Sequence, residues 1–118
     1  MDIEQLTQAL RSYPLYSQDG KGLNAVAVAR ASIGTWIWYI LEGDIIGNND
    51  DIDLYGLVNG HELEYGYFRY LDFININNDA DIQDNLTIEI LPANTKLKDA
   101  LIKDNLYDAY TSIFKNQK

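Results

Sequence analysis

Two stretches of alternating apolar and polar residues, Asp53 to Val58 and Glu62 to Arg69, are separated by Asn59-Gly60. That dipeptide is the strongest short-range signal for a β-hairpin, because both residues of a type I′ turn need positive φ and Asn and Gly tolerate it best. A two-residue turn fixes the register: Val58 faces His61, Leu57 faces Glu62, Gly56 faces Leu63, Tyr55 faces Glu64 and Leu54 faces Tyr65. Side chains alternate with a period of two, so the register decides the face of every residue. One face then carries Ile52, Leu54, Val58, Leu63, Tyr65 and Tyr67 and is expected to be the core. The other carries Asp53, Tyr55, Leu57, Glu62, Glu64 and Phe68, an acidic face with aromatic residues among the charges. In a competing arrangement a C-terminal helix covers this second face, burying Tyr55, Leu57 and Phe68 and leaving the glutamates at its rim.

The rest of the chain supplies partners for that hairpin. Asp2 to Ser12 places Ile3, Leu6, Ala9 and Leu10 on one helical face, with Asp2 and Glu4 near the positive end of the helix dipole, and Pro14 ends it. Residues 17–22 form a loop by composition. Leu23 to Ala31 and Thr35 to Glu42 predict strands joined tightly at Ile33-Gly34; the run Trp36-Ile37-Trp38-Tyr39-Ile40 is aromatic or β-branched throughout and suits a pleated surface. Gly43 to Asp51 reads as a polar loop. Leu71 to Ile76 is a short helix or an irregular turn, Asn77 to Asp84 an acidic loop, and Asn85 to Leu91 a strand stopped by Pro92. Thr95 is placed to cap a final helix from about Lys96 to Lys115, with Ile102, Leu106, Ala109, Tyr110, Ile113 and Phe114 as its apolar stripe. The expectation is one α+β domain over residues 1–118, an antiparallel sheet of about five strands with an N-terminal and a C-terminal helix packed on it.

With 118 residues, 47% of them hydrophobic, the chain can bury a core without covalent staples. It has no cysteine, which excludes a disulfide framework, a thiolate nucleophile and a thiolate zinc site. The N-terminus Met-Asp-Ile-Glu-Gln lacks the basic region of a signal peptide, and the longest apolar run, Thr35 to Leu41, is far too short to span a bilayer; a cytoplasmic location is expected. Residues 42–84 hold eleven acids and one base, Arg69, and so carry nearly all of the formal charge of −9. Direct binding to a phosphate backbone needs clustered Lys and Arg and is disfavoured. The plain reading of such charge is solubility; the functional one is a partner with a basic surface.

Candidate chemistry is sparse. His61, the single histidine, sits beside the turn, where an imidazole is usually a bystander, and no serine is flagged for a Ser–His–Asp arrangement. Glu62 and Glu64 share a strand face and could divide acid and base work as glycosidase carboxylates do, but alternating glutamates on a strand are ordinarily just solvated. Asn49-x-Asp51-x-Asp53 and Asn75-x-Asn77-x-Asp79-x-Asp81 offer oxygen ligands at alternate positions, yet Leu54 and Ala80 stand where a calcium loop has glycine, and Gly60 and Leu86 where it has glutamate. Gly20-x-Gly22 lacks the third glycine of a phosphate-binding turn. Trp36 and Trp38 share one strand face; core packing is the simpler account, an aromatic platform the alternative, and with Arg30 the one basic neighbour a base-stacking surface is disfavoured. The expectation is a protein with no catalytic residue, no cofactor and no designed metal site.

Trp36-Ile37-Trp38-Tyr39 and the run Tyr55 to Phe68 together resemble a bacterial family, the domain of unknown function numbered two-nine-five-eight, common on plasmids and other mobile elements. Its pattern reads Trp-Thr-Trp-Tyr and then Phe-Gly-Leu-Val-x-Gly-x-Glu-x-Glu-Leu-Gly-Tyr-Phe. Pro14-Leu15-Tyr16 is similar to its opening, Ile82 to Ile88 to its last strand, and Glu42 and Asp44 to acids after the Trp motif, so the likeness runs over roughly residues 14–90. Ile37, Tyr55 and Tyr65 depart from it with residues that also suit strands, and the C-terminal helix lies outside it. The resemblance implies no activity and no catalytic residue. It implies genomic company, since mobile elements carry small acidic proteins that blunt host restriction or CRISPR systems.

These readings converge on a non-catalytic binding protein, an inhibitor of the anti-restriction or anti-CRISPR type, whose acidic segment meets a basic nucleic-acid channel on a nuclease. The binding face expected is Glu62, Glu64, Tyr55, Phe68, Asp53, Glu42 and Asp44. The partner is a protein; no nucleic acid and no membrane are bound directly, and a homodimer is open. The alternatives are a structural or regulatory accessory of plasmid maintenance and a carboxylate-dependent hydrolase.

Overall fold

Along the chain of the computed structural model, which describes residues 3–48, 50–77 and 85–114, run α1 (Ile3–Ala9), β1 (Ala29–Ile33), β2 (Trp36–Ile46), β3 (Asp51–Asn59), β4 (Leu63–Arg69), α2 (Tyr70–Asn77), β5 (Thr87–Ile90), α3 (Leu97–Lys103) and α4 (Tyr107–Phe114). The five strands form one antiparallel sheet in the order β4-β3-β2-β1-β5, the α+β arrangement expected from the sequence. No described helix is long and apolar enough to cross a membrane.

Helices cover both faces of the sheet. On one face α1 and α2 pack Leu6, Leu10, Tyr70 and Phe73 against Ile40, Ile52, Leu54 and Trp38. On the other, α3 and α4 bring Leu97, Leu101 and Tyr110 onto Tyr39, Leu41, Leu57 and Leu63. Two cores in one small chain explain why the strands look apolar on both sides.

The hairpin register differs from the one Asn59-Gly60 predicts. Asn59 pairs with Leu63 and Val58 with Glu64, so three residues, Gly60, His61 and Glu62, make the turn. Neither Asn59 nor Gly60 has positive φ. Gly60 is needed for another reason: a Cβ there would lie 2.2 Å from the Trp36 ring. Tertiary contact with Trp36, and a hydrogen bond donated by Asn59 Nδ2 to Thr35 O at 3.3 Å, overrule the local turn preference. Moving each partner by three residues, an odd number, exchanges the faces of β4. Val58, Glu64, Gly66 and Phe68 therefore share the α1/α2 face with Leu54, while Tyr55, Leu57, Leu63, Tyr65 and Tyr67 share the α3/α4 face.

Other boundaries shift for similar reasons. Residues 22–24 form a 3-10 turn and Ala25 to Val28 run as a buried connection, held by Ala27 N–H to Thr95 O and Leu97 N–H to Ala25 O, so the first strand starts only at Ala29. The loop expected from Gly43 is strand as far as Ile46, because Ile45 pairs with Ile52, and the turn begins at Gly47 with φ +65. The final helix is two. Asn105 takes φ 59, its N–H reaches Ile102 O, and Leu106 N–H reaches Leu101 O at 2.8 Å. These bonds are a Schellman closure, which ends α3 and restarts the chain as α4. Thr95 caps nothing; its hydroxyl donates to Pro92 O. Of the expected stripe, Tyr110 is buried but Ile102, Ala109 and Ile113 are exposed, and Leu97 and Leu101 take their place. The acidic loop expected at 77–84 falls, apart from Asn77 in α2, outside the described residues.

Candidate functional site

A bulge in β2 sets up the site. The pairing of β2 with β3 shifts between Ile40 and Glu42, so Leu41 and Glu42 both turn to the α3/α4 face, Glu42 opposite Tyr55 and Asp44 opposite Asp53. Glu42 is only 3% exposed. Its Oε1 accepts the Tyr16 N–H and its Oε2 the Gln18 N–H, each at 2.8 Å. The Gln18 amide in turn donates to Val26 O and Leu41 O and accepts the Val26 N–H. This carboxylate pins the loop after α1 to the sheet. Asp51 is engaged in a like way: its Oδ1 accepts the N–H of Ile52 at 2.8 Å and of Leu71 at 3.0 Å, the latter an orphan donor at the start of α2.

The pinned loop carries Tyr16 in a left-handed conformation, φ 73, costly for a bulky residue. The side chain is held out, 65% exposed, with Tyr67 beside it, itself 61% exposed. The neighbouring Tyr16 hydroxyl, with partial desolvation and the nearby Tyr55 and Asp19, pushes the Tyr67 hydroxyl up to about 12. Tyr67 lies against Tyr55 at 4.8 Å between ring centroids, Tyr55 stacks on Tyr65 at 6.0 Å, and Tyr65 meets Tyr110 of α4, hydroxyl to hydroxyl at 2.7 Å. Tyr55 and Tyr65 are both raised above the ordinary phenol range by burial first, Tyr55 then by Glu42 and Asp19, Tyr65 by its bond to Tyr110. The result is a tyrosine ridge running from the α4 interior to the sheet edge, with Asp19 and Asp44 exposed beside it and Asp53 bonded to Arg69 at 3.1 Å.

The structure thus divides the residues singled out in the sequence. Tyr55, Asp53, Glu42 and Asp44 share the α3/α4 face, with Glu42 turned inward. Phe68 lies on the opposite face against Phe73, and Glu64 shares that face, exposed; Glu62 is exposed in the turn. The expected grouping of Glu62, Glu64, Tyr55 and Phe68 on one face is therefore corrected by the three-residue turn, and α4 covers the Tyr55 side without reaching Phe68. Tyr16, Tyr67 and Asp19, which complete the ridge, were not expected. The available signal was composition: nine tyrosines against three phenylalanines favour rings with one wet end.

Elsewhere, Arg30 forms a two-point pair with Asp104, Nε to Oδ2 at 2.9 Å and Nη2 to Oδ1 at 3.1 Å, and the Tyr39 hydroxyl donates to the same Oδ2 at 2.6 Å. Burial and that carboxylate raise Tyr39 well above the phenol range, and the bond to Asp104 raises Arg30. His61 sits edge-on to Trp36 at 5.1 Å, and Trp36 stacks on Trp38, which is core. Of the two calcium-like segments, Asp51 and Asp53 hold the partners given above, Asn75 and Asn77 lie in α2, and Asn49, Asp79 and Asp81 fall outside the described residues, among which no cluster of three His, Asp or Glu is disposed to hold a metal. Compared with protein-family models, curated proteins and solved structures, the chain matches none.

Proposed function

We propose that this chain is a non-catalytic binding protein that docks a basic protein surface on its tyrosine ridge. The observation that carries the reading is Tyr16, fixed in a strained turn by Glu42 with its ring exposed beside Tyr67. Strain of this kind persists where the surroundings enforce it and concentrates at functional sites. Tyrosines supply desolvated contact at small entropic loss, and Asp19, Asp44 and Asp53 supply steering and register. The partner is a nucleic-acid-binding protein of the host, such as a restriction or CRISPR nuclease, whose phosphate channel the acidic ridge would occupy. The mobile-element setting rests on the motif resemblance alone. The reading is preferred to a carboxylate hydrolase because Glu64 lies on the face opposite the ridge and Glu62 is exposed in the turn rather than beside it on the strand.

The test is capture of host proteins on the immobilised chain, followed by challenge with duplex DNA and with rising salt. Basic nucleic-acid-binding proteins should be retained, displaced by DNA, and lost from an Asp19→Lys/Asp44→Lys/Tyr67→Ala variant whose thermal melt is unchanged. Retention by that variant at full strength sinks the reading.

A further inference from the structure

β4 closes the sheet on one side, and among the described residues no strand pairs with its outer edge. The direction of its backbone groups follows from two bonds. Gly60 N–H reaches Glu62 O at 3.1 Å, just beyond the Asn59–Leu63 pair, so that pair is one of the non-hydrogen-bonded pairs of the ladder. Alternation then points the N–H and C=O groups of Leu63, Tyr65 and Tyr67 away from β3. The far end agrees: Arg69, of the same parity, gives its N–H to Asp72 Oδ2 at 2.9 Å.

Gly66 stands in the middle of this edge. Its cross-strand partner Gly56 has a reason to be glycine, since a Cβ there would lie 1.9 Å from Tyr39 O. Gly66 has none among the described residues: its φ is not positive, and a Cβ there would meet none of them within 4 Å. Glycine weakens a strand interior, and where packing does not require it, it marks the close approach of another backbone or a ligand. The open space lies on the α1/α2 face between Glu64 and Phe68, while the exposed Tyr67 and half-buried Tyr65 flank it on the other face.

We propose that β4 accepts an extended segment of a partner protein as an added strand, with a long cationic side chain opposite Gly66 and apolar or aromatic side chains toward Tyr65 and Tyr67. The proposal rests on the basic-partner reading above and gives it a geometry. Main-chain bonds to Tyr65 and Tyr67 supply affinity, and the alternation of the two faces supplies specificity. A Lys or Arg stem fills the space over Gly66, and its head reaches the exposed Glu64 on the diagonal. A second copy of the chain is the poorer occupant, because it brings no cationic side chain to stand opposite Gly66 in a strand carrying Glu64, apart from the Arg69 already paired with Asp53.

The probe is a blocked nonapeptide of alternating arginine and valine, compared with a peptide of the same composition whose arginines all sit at one end. Binding is read by calorimetry and by amide exchange of Tyr65 and Tyr67. The alternating peptide should bind about tenfold tighter than the block peptide and slow exchange at both amides. Gly66→Val, which the open space accommodates without loss of folding, should weaken it about tenfold. Tyr67→Pro should weaken it beyond Tyr67→Ala, because proline also removes the outward N–H while β3 keeps its ladder. Equal binding of both peptides with unchanged exchange overturns the added strand and leaves the acidic-ridge reading standing. Failure of both peptides to bind overturns it too, and the capture experiment then judges the ridge by itself. Protection of Tyr65 and Tyr67 that grows with protein concentration, with a dimer in sedimentation, overturns it in favour of self-association.

Discussion

The two faces of the sheet are built from different aromatic chemistry. Under α1 and α2, with Tyr70 and Tyr13 at the margin, Trp38 and Phe68 each meet Phe73 edge to face, at 5.2 and 5.7 Å, and fill space by shape. Under α3 and α4 the rings are tyrosines apart from Phe114, and the buried hydroxyls end on partners: Tyr39 on Asp104, Tyr65 on Tyr110. A phenyl face can only be sealed. A tyrosine face can continue from core to solvent in one unbroken row, because each ring carries its own polar end. That continuity turns the second face into a surface, with Tyr67 and Tyr16 as its exposed terminus.

The largest effect should come from the sealed face. Phe73→Ala removes the ring that both Trp38 and Phe68 touch and should destabilise by about 3–5 kcal/mol in denaturant unfolding. A loss below 1 kcal/mol would mean that this face is not the tighter-packed one. Next, Asp104→Ala removes the acceptor of the Tyr39 hydroxyl and the two-point partner of the part-buried Arg30, which keeps only Ser32 and Glu89, and should cost about 2–3 kcal/mol, whereas Tyr39→Phe, removing one donor cleanly, should cost about 1 kcal/mol. Near equality of the two would show that the hydroxyl, not the carboxylate, organises the second face. Glu42→Gln keeps the shape but can satisfy only one of the two loop amides well, so a loss of about 1–2 kcal/mol is expected, with faster amide exchange at Tyr16 and Gln18. Unchanged exchange there would detach the loop's order from the carboxylate.

The smallest effect is alkaline. Tyr39 and Tyr65 hold their protons more tightly when folded than at the ordinary value of 10.0 that applies to the unfolded chain. Above that pH the unfolded state binds fewer protons than the native one, so stability falls as pH rises; below it, these groups contribute no slope. Urea melts of the wild type should steepen in pH dependence above pH 10, and Tyr39→Phe should flatten part of that slope, while Phe73→Ala should not.

How much of this the sequence carried depends on how far each cause lies along the chain. Strands and helices were legible because their signals are local: the aromatic run from Trp36, the alternation of residues 53–69, the stop at Pro92. The register of β3 on β4 was not, because Gly60 answers to Trp36, twenty-four residues upstream, rather than to its own turn. With the register went the expected grouping of Glu62, Glu64, Tyr55 and Phe68. Glu42 read as an exposed acid because the amides that hold it belong to residues 16 and 18, and no short-range pattern places a loop under a strand. The break in the last helix did have a local sign, Asp104-Asn105, which competed with a longer apolar stripe and prevailed.

The bulge after Ile40 works as a frame shift inside a strand. Upstream, odd-numbered residues of β2 face the tyrosines; downstream, even-numbered ones do, and Glu42, Asp44 and Ile46 inherit the side that Tyr39 and Leu41 had. The reading frame of the whole second half is therefore set by one extra residue. Deleting Leu41 would leave Glu42 opposite Tyr55 and Asp44 opposite Asp53, so both carboxylates would keep the tyrosine side and only the bulge would go; a strand that absorbed Leu41 into strict alternation would instead send Glu42 and Asp44 to the phenyl side while Gly43 and Ile45 turned toward the tyrosines. Register, and not only identity, is thus encoded at this point of the chain: the bulge lets β2 set Leu41 and Glu42 side by side on the tyrosine face while both halves keep their pairing with β3.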